Sequence, residues 1–166
     1  MKTIYFIISF FILFQSCRNS NKEFAAEFNN YNFNIFKNKS FLIRGNDNSG
    51  GTIIFISEIN NTKDCSAPFS VVINDNNSSI KSTSLKMLKS YCNIDTVLLK
   101  KLAINFFSLG VSYLNVDSNS NVTIDINYND ESNPDLIKTN DINFFKKNNY
   151  NKWNKIKNNW YEATEE

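Results

Sequence analysis

Chemistry at neutral pH needs a group that exchanges a proton, an activated nucleophile or a metal site, and this chain offers few of each. It contains no histidine, which removes the commonest general base and a common metal ligand together. The cysteines are Cys17, Cys65 and Cys92. Without an imidazole, no neighbour in sequence activates Cys65 or Cys92 as a nucleophile. The carboxylates are scattered, among them Glu58, Asp75, Asp95, Asp117, Asp125 and Asp130. Hydrolysis of a glycan would need two carboxyls facing each other across a cleft. Asp125 falls on the polar side of an alternating segment and is expected to be solvated. Neither Asp125 nor Glu58 is expected beside another carboxylate. Asp117 to Asn121 starts like a calcium loop but lacks the central Gly and closing Glu of that pattern. Gly45, Gly50 and Gly51 fit a hairpin better than a phosphate cradle. No catalytic residue, metal site or cofactor is assigned. Near the C-terminus Trp153, Trp160 and Tyr161 lie among lysines and form a candidate binding surface for a sugar or a protein. The plainer alternative is that Trp160 fills the core.

The N-terminus carries a different chemistry. Lys2 is a short positive region, and Ile4 to Phe14 is apolar apart from Ser9. At about a dozen residues the stretch is shorter than the roughly twenty a membrane-spanning helix needs, and it has the order of a signal peptide. Phe14-Gln15-Ser16-Cys17 resembles a lipobox, the cleavage motif of bacterial lipoproteins, with Phe14 where that pattern prefers Leu. The resemblance implies a signal peptide over 1–16 and a diacylglyceryl group on Cys17, which holds the chain to the membrane. One acyl chain anchors only marginally at about 0.8 kcal/mol per buried methylene, so the two or three chains of such lipoproteins make attachment stable. Arg18 stands where an Asp would signal inner-membrane retention, which leans towards the outer membrane of the cell envelope. With Cys17 lipidated, Cys65 and Cys92 remain as an even pair in an oxidising compartment and are candidates for a disulfide. Two free thiols are the alternative.

Composition bounds the rest. The chain has 166 residues, 42% of them hydrophobic, 15 Phe and a formal charge of +2. Roughly 150 residues beyond the leader suit one domain with a real core. So balanced a charge gives no case for nucleic acid as a partner. About thirty residues are Asn, far above ordinary usage. Together with abundant Lys, Ile, Phe and Tyr they follow AT-rich codons, and they cluster between apolar segments, where loops belong.

The elements that must position any site are read from periodicity. Residues 17–32 read as a lipidated N-terminus and tether, with a capping box at Ser20 to Glu23 that allows a short helix. The domain is expected over 33–166. Strands are expected at 40–44, 52–59 and 69–73, with a meander between them. Ser82, Thr83 or Ser84 would cap a helix to about Tyr91. Asn93 would cap a second, over 94–109, ending at Gly110, with Leu98, Leu102, Phe106 and Leu109 on its apolar side. A hairpin follows over 111–116 and 122–128. Trp153, Ile156 and Trp160 have helical spacing, yet Asn158-Asn159 is a turn signal, and an extended segment around Trp160 and Tyr161 is favoured. Tyr91-Cys92, Asn121-Val122 and the ending Lys155 to Tyr161 loosely resemble uncharacterised exported proteins of Bacteroidota, a likeness that implies no activity.

The fold expected is α+β: an antiparallel sheet of about five or six strands with two helices packed on one face. The function expected is a membrane-anchored, non-catalytic binding module of the bacterial envelope, with an immunity-type protein that takes a protein partner as one form. The alternatives are an envelope-polymer hydrolase using carboxylates and a purely structural envelope protein.

Overall fold

The computed structural model describes residues 21–58, 69–85, 95–127, 134–148 and 152–164. They form one nine-stranded sheet, antiparallel throughout. The first four strands are a meander: β1 (Lys39–Asp47), β2 (Gly51–Glu58), β3 (Phe69–Asn74) and β4 (Ile80–Leu85). β5 (Tyr113–Val116) then pairs with the other side of β1, and β6 (Val122–Asp125), β7 (Leu136–Lys138), β9 (Trp160–Ala163) and β8 (Trp153–Lys157) extend the sheet outward. Three helices accompany it: α1 (Asn21–Glu27), α2 (Thr96–Ser108) and the short α3 (Asn143–Lys147), with a 3-10 turn at Phe33–Phe36.

The expectation of five or six strands and two helices is therefore corrected to a more β-rich sheet of nine strands. Three segments account for the difference. Ser82, Thr83 and Ser84 were expected at a helix start, but in β4 they pair with Val72, Val71 and Ser70 of β3. Hydroxyl residues suit a half-wet strand as well as a cap, and the partner strand decides. The rest of that expected helix, and Asn93, lie outside the described residues. β7 is only three residues long, too short to show a period. In β8, Trp153 and Ile156 stand three apart, which mimics a helix. Ile156 packs on the core, whereas Trp153 rests on the other side of the sheet against Phe145.

The core lies on one face of the sheet. Phe41, Ile54, Val71, Leu114, Val116 and Ile124 alternate inward along their strands and are fully buried. α2 packs over this face on β2 and β3, through Leu99, Leu102, Ala103 and Phe106. Of the apolar side expected, Leu102, Phe106 and Leu109 are buried, but Leu98 is exposed and Leu99 takes its place. Asp95 caps it by accepting from the Leu98 amide at 2.9 Å. Gly110 ends it with φ +68°, a left-handed conformation that an L side chain resists. Phe36 meets Phe41 edge-on at 5.1 Å, and Phe41 stacks on Phe106 at 5.2 Å.

α1 also belongs to this core. The capping-box pattern does end in a helix, and its Phe24 and Ala25 are buried. Phe24 meets Trp160 edge-on at 6.1 Å. Phe24 and Ala25 thus fix part of the stretch over 17–32 to the core. Among the described residues no helix is long and apolar enough to cross a membrane.

Candidate functional site

Loops at one end of the sheet converge on a cleft of about 490 Å³. Its walls come from the segment Tyr31 to Asn34, the β5–β6 turn and the stretch after β7. Six of the residues lining it are asparagines: Asn32, Asn34, Asn119, Asn121, Asn140 and Asn159. A second cleft, of about 380 Å³, is lined by Tyr161, Lys155, Asn158 and Ile142, and shares Thr139, Asn140 and Asn159 with the first.

Each wall is held by hydrogen bonds that its own sequence supplies. In the β5–β6 turn the Asp117 carboxylate accepts from the Asn119 and Asn121 amides, both at 2.8 Å, and from the Asn121 side chain at 2.7 Å. This is an Asx-type turn, so Asp117 builds the loop rather than a calcium site. The buried Thr139 hydroxyl donates to Asn121 Oδ1 at 2.6 Å and accepts from the Asp141 amide at 2.9 Å. The Thr139 amide donates to the Asn159 carbonyl at 2.9 Å. The Asn159 side chain donates to Asn140 Oδ1 at 3.3 Å. Three loops far apart in sequence are thereby tied into one rim.

Lys138 fixes the wall formed by Tyr31 to Asn34. Its ammonium donates to the Asn29 carbonyl at 2.8 Å and sits over the rings of Phe33, at 5.3 Å, and Trp160, at 5.2 Å. Burial pulls its pKa below the ordinary lysine value, because a cation loses hydration there. The two ring faces return part of that loss. Asp141, the other charged residue of the first cleft, lies 3.9 Å from Lys147. The cleft is therefore close to neutral and rich in amides that both donate and accept.

The carboxylates have a different geometry. Asp125 was expected to be wet and remote from any other acid, and the structure corrects this. Burial, and then the neighbouring Asp135 carboxylate, push its carboxyl from 3.8 up to about 6, against a lowering backbone hydrogen bond from Asp135. Asp125 Oδ1 is buried with no hydrogen-bond partner among the described residues. Asp135 is occupied elsewhere, accepting from the Ile126 amide at 2.7 Å. Strand alternation does turn Asp125 away from the core, but Tyr113 and the buried Ile137 on adjacent strands share that face, so the surroundings are only partly wet. The two clefts above are lined by other residues. Glu58 lies 3.4 Å from Lys39 in an ion pair across β1 and β2. Among the described residues no group of three or more Asp, Glu, Cys or His converges as a metal site would require.

The residues singled out from sequence are divided by the structure. Trp160 is fully buried and supports the cleft from beneath, so it is no binding surface. Tyr161 lines the second cleft. Trp153 is half-buried behind it, sharing Phe145 as a packing partner at 5.7 Å while Tyr161 meets the same ring at 4.9 Å. Cys17, Cys65 and Cys92 lie outside the described residues. Lys138, Thr139 and the asparagines of the rim were not singled out, because thirty similar Asn residues leave no contrast along the chain. No protein-family model, no curated protein and no solved structure matches this chain.

Proposed function

We propose that this chain is a non-catalytic binding module of the bacterial envelope, held to the membrane through lipid on Cys17, with the asparagine-lined cleft as its ligand site. The observation that carries the reading is the cleft itself: about 490 Å³, within the range of small-molecule sites, with a rim of side-chain amides and almost no net charge. Such a rim binds a polar, uncharged ligand, because each amide both donates and accepts. A concave site of this size suits a small polar ligand better than the broad flat contact of an immunity-type protein interface. The lipobox supports the anchor and the envelope location.

The hydrolase reading has one observation in its favour, the raised Asp125 carboxyl beside Asp135. A general acid needs a pKa near the working pH. Yet Asp135 is engaged by a backbone amide, and neither acid lines the two clefts.

Both parts of the proposal are tested on the full chain. Cells fed an alkynyl fatty acid should label the wild-type protein and not Cys17→Ser. Purified protein should leave peptidoglycan and neutral glycans intact. An unlabelled wild type removes the anchor. Hydrolysis that disappears in Asp125→Asn replaces the binding module with the enzyme.

A further inference from the structure

The two clefts adjoin at the strand ends, the first on the sheet face of Lys138 and the second on that of Tyr161. Thr139, Asn140 and Asn159 belong to both, and the hydrogen bond from Asn159 to Asn140 lies on the saddle between them. Each side of the saddle has its own tyrosine, Tyr31 in the first cleft and Tyr161 in the second. Two adjoining volumes of about 490 and 380 Å³ exceed what one small ring needs, so the natural occupant is elongated.

The chemistry of the groove narrows that occupant. Its charges are already committed: Lys138 to Asn29 and two rings, and Asp141 near Lys147. Among the described residues lining the groove, only the exposed Lys155 adds a further cation. A polyanion would find too little positive charge here. A peptide read by its main chain would need an open strand edge, but the groove crosses the ends of strands, where the Thr139 amide already pairs with Asn159. What remains on offer are the side-chain amides outside those bonds, such as Asn34 and Asn119, and two amphipathic aromatic rings, Tyr161 and the partly buried Tyr31. Amides match hydroxyl groups, which also donate and accept, and ring faces match the apolar faces of sugars.

We propose that the joined clefts form one groove with two subsites for a neutral oligosaccharide. This rests on the binding-module reading and adds the class and shape of the ligand. Tyr31 and Asn34 serve the first subsite, Tyr161 the second, and Asn140 and Asn159 the junction.

The test is calorimetric titration of the full chain, in detergent micelles, with neutral oligosaccharides from monomer to hexamer: β-linked glucose, β-linked N-acetylglucosamine and α-linked mannose. At least one series should gain about tenfold or more in affinity, roughly 1.4 kcal/mol, once it is long enough to cross the saddle. Tyr161→Ala should abolish the gain with length, and Tyr161→Phe should restore it. Asn34→Ala should weaken short and long members alike. Absence of binding by every series, affinity independent of length, or a length gain that survives Tyr161→Ala overturns the inference. Failure to bind sugars leaves the binding-module reading standing, whereas cleavage of the sugars removes both.

Discussion

Replacing Asp125 by asparagine should stabilise the protein at neutral pH and leave it unchanged in acid. The carboxyl is raised from 3.8 to about 6, so the folded state disfavours its ionisation. Each tenfold shift in proton affinity is about 1.4 kcal/mol, which sets an upper bound of about 3 kcal/mol. Asp125 is only partly buried, and screening through its wet side reduces the effect to about 1–2 kcal/mol. Below about pH 4 the carboxyl is protonated in both the folded and the unfolded chain. As pH rises from about 4 to about 6, the unfolded chain has already lost the proton that the folded chain still holds. Stability therefore falls through that window, and the full cost is present above it. Urea denaturation of wild type and Asp125→Asn, at pH 7 and again below pH 4, measures both ends. The variant should gain about 1–2 kcal/mol at pH 7 and nothing in acid. A variant that is less stable at pH 7, or equally shifted at both, would refute the account of Asp125 as a strained acid.

Other outcomes follow from the packing. Trp160→Ala should cost about 3–5 kcal/mol, because the indole is fully buried against Phe24 and Phe33; thermal denaturation followed by near-UV circular dichroism would show it. Asp95→Ala should cost about 1 kcal/mol through loss of the α2 cap, with the Leu98 amide exchanging faster with solvent. Thr139→Val should cost about 1–3 kcal/mol, because it leaves the buried Asn121 carbonyl oxygen without its donor, and denaturant midpoints would register the loss.

The parts of the fold visible in the sequence were those with a strong local period. The β-branched run Ile53 to Ile56, the alternation from Val122 to Asp125 and the helix before Gly110 all stand close to where their patterns put them. The outer strands were hidden for physical reasons. β4 is rich in hydroxyl residues, β7 is short, and β8 carries an irregular register between Lys155 and Lys157; each is defined by its partner strand rather than by its own residues. The candidate site was barely visible. Asn121 and Thr139 meet only because β6 and β7 pair, and Asn29 meets Lys138 across more than a hundred residues of chain. Tyr161 was singled out as an aromatic among lysines. Its neighbour Trp160 looked the same in sequence and points the opposite way, since adjacent strand residues face opposite sides of the sheet.

The central claim is that ligand enters the asparagine-lined groove and is held there without chemistry. Its most direct test is nitrogen-15 NMR of the full chain titrated with solubilised neutral envelope glycan fragments. The account predicts that the side-chain amides of Asn34, Asn140 and Asn159 shift while the fragments keep their length. Shifts confined to the backbone amides of Ile126 and Asn127, beside Asp125 and Asp135, with shortening of the fragments, would contradict it.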